Sequence, residues 1–366
     1  MCRLFINPDR ASDVKERDLN CFYKFPILDV RLLGAIAAAL IALAALANPA
    51  PAHKIGPARI APGEHGSQVV SLAFSPTGAH IATTSGAGRV MVRSLESGWE
   101  TEQCVGFPGY ARVVTFSPDG RFLAAAGIKP GVLLWNMSSF SDGGPTLKNV
   151  LPFERVTAMQ FAPDGGSLAI VTERDGSIAL WDLAARVVRM CFRHPSPVTS
   201  LAFSPDGRLL AAGGRDDRWL IVWDVESGNR RMQVQDGPGF AAAVAFSPDG
   251  ALLASARLST HDVCLRDLAS GRPRRVFRGH ARSVNSVPFS PDGELLATAG
   301  NDGIVGLWTV ATGHRIELDA QATSLRVVAF SPNGQLLVLA TGDDDDLRFW
   351  GVAELVRARP DRTTWR

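Results

Sequence analysis

The sequence predicts an all-β fold of seven four-stranded antiparallel units closed into a ring. Three observations predict it: a five-residue motif occurs seven times, its spacing is nearly constant, and the same order of short apolar runs and tight turns surrounds each copy. The motif Phe74-Ser75-Pro76-Thr77-Gly78 returns at 116–120, 161–165, 203–207, 246–250, 289–293 and 330–334. Successive copies start 42, 45, 42, 43, 43 and 41 residues apart. The third copy alone changes the serine, to Ala162.

Each element of the unit follows from its residues. An apolar run such as 198–203 (VTSLAF) enters the motif and reads as a first strand. The proline presets φ, a small or acidic residue follows, and the glycine accepts positive φ, which makes a tight hairpin turn. A second apolar run comes next, as in Leu209-Leu210-Ala211-Ala212. A polar turn leads to a third run at 219–225, closed by Ser227-Gly228; Ser270-Gly271 and Thr312-Gly313 recur at the same place. A fourth, more polar run reaches the next motif. A lone four-stranded meander has two faces to cover and open edges. Radial stacking covers the faces, and ring closure makes the cover continuous. An open β-solenoid is the alternative, but its repeats are usually shorter.

The chain resembles the WD-repeat family over about residues 56–356. The signature dipeptide stands as Trp181-Asp182 and Trp223-Asp224 and is altered to Trp135-Asn136, Trp308-Thr309, Trp350-Gly351, Arg266-Asp267 and Arg93-Ser94. Gly279-His280 carries the second signature, and His65 and His194 fall at the same offset from their motif phenylalanines. The resemblance implies a seven-bladed β-propeller whose ring is closed by the N-terminal strand. The last repeat lacks an obvious fourth strand after Trp350, and residues 57–62 stand where a fourth strand precedes every other copy. They are expected beside residues 347–352. Residues 1–55 then form a separate N-terminal segment and 357–366 a short tail.

The resemblance also implies a buried hydrogen-bond network within blades. Blade six has all four members: His280, Thr298, Asp302 and Trp308. Blade four has His194, Asp217 and Trp223, with Ala212 in place of the hydroxyl. Blade one has His65 and Thr83, with Ala87 and Arg93 at the other two places. Blades one, two and five are therefore expected to rely more on apolar packing. This accounts for three histidines as structural rather than catalytic, and His261, beside Asp262 in a divergent turn, reads as merely exposed.

Charge and motifs exclude several functions. The formal net charge is +2, whereas nucleic-acid binding domains carry clustered basic charge. The five cysteines (Cys2, Cys21, Cys104, Cys191 and Cys264) share no CxxC spacing, so zinc, redox and disulfide frameworks are not expected, and those of the main domain read as small buried residues. No phosphate loop, metal helix or nucleophile elbow is present. Ser85-Gly86-Ala87-Gly88 joins two strands and reads as a turn. The run 343–346 (DDDD) offers oxygen ligands of the kind calcium takes but lacks an EF-hand-like loop, and a like-charge run is ordinarily solvated. No cofactor or metal is expected.

Residues 32–47 (LLGAIAAALIALAALA) are uncharged and preceded by Arg31. The run is short for a membrane span and matches the apolar core of an export signal, with small-residue sites at 45–47 and 50–52. The leader before it carries both acids and bases, which a start at Val30 in a GC-rich bacterium would remove. A cleaved signal, an uncleaved anchor and a helix packed on the propeller are the three readings. The first two place the chain outside the cytoplasm or on a membrane through this segment alone; the third leaves it cytoplasmic.

The resemblance implies a scaffold that binds protein or peptide partners on one ring face, as a single propeller within a complex. The family's face positions, carried over one by one, are Tyr110 and Arg112 in blade two, Arg155 and Arg174 in blade three, and Phe240 in blade five. They continue with Asn285 and Asn301 in blade six and Arg326 with Asp343 in blade seven. Blades two and three supply three arginines, which suits an acidic peptide; Asp216 and 343–346 make the opposite side of the ring acidic. The alternative is an exported propeller enzyme of lactonase or quinoprotein type, which needs central carboxylates, histidines or metal ligands.

Overall fold

The structure, a computed structural model, describes residues 56–57, 59–61, 65–95, 101–129, 131–138, 146–173, 175–215, 217–235 and 241–357. The apolar run 32–47, Asp216 and the face candidates Arg174 and Phe240 lie outside the described residues.

Seven four-stranded sheets form, all with antiparallel pairing. In blade four the strands are Val198–Phe203, Leu209–Gly214, Trp219–Asp224 and Arg230–Gln235, in sequence order from first to fourth. The second and third strands are buried on both faces, so they read as unbroken apolar runs rather than alternating ones. The fourth strand, RRMQVQ, faces solvent, which is why it carries arginine and glutamine.

Blade seven closes the ring. Its first three strands are Leu325–Phe330, Leu336–Thr341 and Leu347–Gly351, and Arg59–Ala61 supplies the fourth, with Arg59 opposite Phe349 and Ala61 opposite Leu347. The Trp350 Nε1–H donates to the Gly56 carbonyl at 2.8 Å. A short helix, Val352–Arg357, follows and buries Val352 and Leu355 against blades six and seven. No pattern in the sequence announces this helix.

The core is seven apolar layers, each between two neighbouring blades. One joins blades three and four through Ile178, Phe192, Phe203, Ile221 and Trp223. The layer between blades seven and one includes Ala61 of the closing strand together with Val69, Ile81, Leu347 and Phe349. Side chains of the first strands stitch the blades together. Val114 N–H donates to Ser71 Oγ, Val244 N–H to Ser200 Oγ, Val328 N–H to Ser286 Oγ and Phe203 N–H to Gln160 Oε1, each reaching from one blade to the next.

The repeated motif builds the turn on the other face. Ser204 Oγ accepts the Leu209 N–H at 2.9 Å and donates to Asp206 at 2.5 Å, while Gly207 takes φ +71° to complete the turn. Ser117, Ser247 and Ser290 repeat both bonds, with Asp119, Asp249 and Asp292 as acceptors. Each motif glycine also faces the motif proline of the preceding blade, from Gly120 on Pro76 round to Gly78 on Pro332.

One expectation is corrected. Cys264 is buried, but Cys191 lies exposed on the outer strand of blade three, where alternate side chains face solvent. Blade five, expected to depend more on apolar packing, also holds a buried polar contact. Its Arg257 guanidinium grips the buried Asp262 carboxylate at 2.6 and 2.7 Å, and Thr260 donates to the same carboxylate.

Candidate partner-binding face

In an antiparallel blade the start of the first strand and the turn between strands two and three lie at the same end. Tyr110, Arg112, Arg155, Asn285, Asn301, Arg326 and Asp343 therefore share one face of the ring. Their contacts differ by blade. Arg112 lies over the Tyr110 ring, 6.0 Å from its centroid. Arg155 pairs with Glu173 at 2.5 Å, and Arg112 approaches the same carboxylate at 3.7 Å. Glu173, one residue before the turn position, thus stands between the arginines of blades two and three.

Blades six and seven carry a polar lattice. Asn285 Nδ2 donates to Asn301 Oδ1 and to the Leu325 carbonyl, both at 2.7 Å. Asn301 Nδ2 donates to Ser283 Oγ, and Ser324 Oγ donates to Asn301 Oδ1. These asparagines fix loop positions as well as lining the face. Asp343 accepts from the Thr323 backbone and hydroxyl and from Ser324 N–H. Burial alone would raise its pKa, but these donors outweigh that and lower it. The neighbouring acids do separate tasks. Asp344 forms two bonds to Arg348, which hold its pKa down, and accepts from Thr341; Asp345 accepts from Gly66 N–H.

The blade-six network is a directed chain. A carboxylate only accepts, so His280 Nδ1 carries the proton shared with Asp302 at 3.0 Å. In the neutral ring Nε2 then accepts from Thr298 Oγ1 at 2.7 Å, and Trp308 Nε1–H donates to that same oxygen at 3.0 Å. Gly300 leaves the necessary room: a Cβ there would lie 2.5 Å from both Asp302 Oδ1 and His280 Nδ1. Blade four differs because Ala212 offers no hydroxyl. His194 Nε2 instead faces the Trp219 carbonyl at 3.1 Å, so in the neutral ring Nε2 carries the proton. Nδ1 accepts from Ser196 N–H, and Asp217 stays 3.6 Å away with one oxygen lacking a hydrogen bond. Trp223 meets this histidine edge-on, with ring centroids 6.3 Å apart. In blade three Ile170 stands at the hydroxyl position, and Trp181 Nε1–H has no acceptor among the described residues.

The WD domain, G-beta repeat family matches residues 61–93, 148–182, 186–224, 271–309 and 311–351, half of the chain. The chain belongs to the WD-repeat family. Over 86 residues it is 40% identical to Target of rapamycin complex subunit wat1 of Schizosaccharomyces pombe, covering 22% of this chain and 25% of that protein. It is 30% identical over 134 residues to WD repeat-containing protein SL1-17 of Schistosoma mansoni, covering 37% and 43%. It is 24% identical over 123 residues to the guanine nucleotide-binding protein subunit beta of Zea mays, covering 32% of each. The matches thus span from a quarter to under half of these relatives' lengths, and all three relatives are eukaryotic.

The two family-matched repeats at 271–309 and 311–351 flank a pocket on the face, of about 540 Å³. His261, Arg282, Ser283, Asn301, Thr323, Ser324 and Arg326 line it. Of these WD-repeat residues, the sequence reading named Asn301 and Arg326 as face residues. It missed Arg282, and it treated His261 as merely exposed, whereas the structure half-buries it in the pocket wall with φ +57°. The signal for Arg282 was its place two residues after His280, in a loop that the blade-six network holds.

Proposed function

We propose that this chain is a scaffold that holds a protein partner on the face where the first strands begin, and that it performs no catalysis there. The observation that carries the reading is the kind of side chain gathered on that face. Tyr110 under Arg112, Arg155, Arg282 and Arg326 project from a ring whose blade-six and blade-seven loops are tied by hydrogen bonds, and aromatic and arginine side chains dominate binding energy at protein interfaces. Among the described residues no three histidine, cysteine or carboxylate side chains are grouped to hold a metal ion. The relatives' names point the same way, since one is a subunit of a complex and another a subunit beta. The larger pocket on the opposite face, about 740 Å³, is lined by Asp206 and Asp224, whose carboxylates already cap turns through Ser204 and Ser227. The finer reading is that the partner presents an acidic segment.

The test uses the full chain immobilised in native extract. Arg112→Glu with Arg155→Glu places two further acids beside Glu173, and proteins captured by the parent should be lost, with a weaker salt dependence. Arg208→Glu, on the opposite face, should retain them. Capture unchanged by the double substitution, with the fold intact, overturns the reading.

A further inference from the structure

We propose that the pocket shared by blades five, six and seven receives a phosphoryl group carried on a partner's side chain. This rests on the reading of this face as the partner-binding one and names the chemistry it recognises.

Three walls, one from each blade, supply donors: the His261 imidazole, the Arg282 guanidinium with the Ser283 hydroxyl, and the Arg326 guanidinium. No carboxylate lines the pocket among the described residues, and neither arginine has a carboxylate partner among them. Arg326 makes one long bond, 3.4 Å, to Gln68. Arginines elsewhere on the face differ: Arg155 and Arg112 share Glu173.

Each wall is held by an acid outside the pocket. Arg257 and Thr260 fix the buried Asp262, which closes the hairpin that carries His261 at φ +57°. A non-glycine residue in that region costs free energy and persists where its surroundings over-determine it, often at ligand sites. Asp302 receives His280 and the Ala281 N–H, and so anchors the loop one residue before Arg282. Asp343 takes three bonds from Thr323 and Ser324, just ahead of Arg326. All three carboxylates spend their oxygens on these donors and none lines the pocket, so the pocket's own donors are placed before any ligand arrives. Preorganisation of that kind saves the ordering cost of binding.

The arrangement selects among anions. A planar carboxylate is satisfied by a single guanidinium fork. Two guanidiniums on different blades, with an imidazole and a hydroxyl from other directions, match the several oxygens and higher charge of a phosphate monoester. A peptide is favoured over a lipid headgroup because the large exposed apolar side chains, Ile60, Leu147, Val150, Val187 and Val188, lie on outer strands and not beside this pocket.

The experiment is calorimetric titration of the full chain with a pentapeptide, alanines around one phosphoserine, against its serine and glutamate forms. The phosphopeptide should bind at least about tenfold more tightly than either, and Arg282→Ala and Arg326→Ala should each remove about that factor, as expected for bonds to a charged group. Arg208→Ala should not, and unchanged thermal midpoints show that the variants fold. Equal affinity for the three peptides, or arginine variants that behave as the parent, overturns the proposal. So does binding to phosphatidylcholine vesicles containing phosphatidylinositol 4-phosphate without any phosphopeptide preference. Partner capture lost in Arg112→Glu with Arg155→Glu, while the phosphopeptide fails to bind, overturns the pocket and leaves the face standing. Phosphopeptide binding that depends on Arg282, while capture ignores every face substitution, supports the pocket and overturns the wider reading.

Discussion

His280 and His194 occupy the same place in blades six and four, yet they bond differently because Thr298 faces one and Ala212 the other. Long-range 1H–15N spectra should therefore report the Nδ1–H tautomer for His280 and the Nε2–H tautomer for His194; matching tautomers would refute the assigned chains. Removing a member of the complete network leaves buried polar partners unpaired. His280→Ala or Asp302→Ala should lower unfolding free energy by roughly 1–3 kcal/mol, read from urea midpoints, with His261→Ala close to the parent. The acid side carries a sign. Burial pushes the Asp302 pKa up, but His280 and two backbone N–H groups bring it below the ordinary carboxylate value. Its contribution is thus complete above that ordinary value and is lost as pH falls through the lower folded one. Asp302→Ala should accordingly lose less stability than the parent on acidification below about pH 4. The network residues were legible because their offsets from the motif are constant. Glu173 and Arg282 were not, because which side chains meet across a face depends on loop geometry that no sequence period encodes.

The motif turn is the element that every blade repeats, and its chemistry was readable from the proline and glycine alone. The serine's part was not: its oxygen both accepts from the second strand and donates to the turn carboxylate, which holds the pKa of Asp206 and Asp249 down. Blade three has Ala162 here, so Asp164 keeps only the Gly166 N–H that its serine-bearing counterparts also receive in kind. Ala162→Ser should supply both missing bonds and raise stability by about 0.5–1.5 kcal/mol, visible as a thermal midpoint a few degrees higher. A lower midpoint would show that the buried site cannot admit the hydroxyl. The helix Val352–Arg357 escaped prediction because six residues hold too little of a helical period, and its burial depends on surfaces of blades six and seven.

At the scale of the molecule, closure by Arg59–Ala61 converts two sheet edges and an open apolar layer into continuous structure. Deleting residues 1–62 removes that strand and the Gly56 acceptor of Trp350, whereas deleting 1–50 leaves both. The longer deletion should lower the thermal midpoint by about 10 °C, corresponding to several kcal/mol for a domain of this size, and the shorter one should leave it nearly unchanged. Equal midpoints would place the closure elsewhere. The seven-unit ring was readable because each copy repeats the same pattern, and the missing last strand pointed to where the ends must meet.

That closure also sets a timetable for synthesis. Gly56 and Trp350 are 294 positions apart, so the last blade cannot assemble until nearly the whole chain has left the ribosome. Every earlier blade can stack on its predecessor as it emerges, but Val69, Leu72 and Ile81 wait uncovered on the first one until residues 325–351 arrive. During that interval the nascent chain presents an oily flank and an unpaired strand, the features that draw chaperones or lead to clumping. Slowing translation near the C-terminus should therefore harm the yield of soluble protein more than slowing it in the middle.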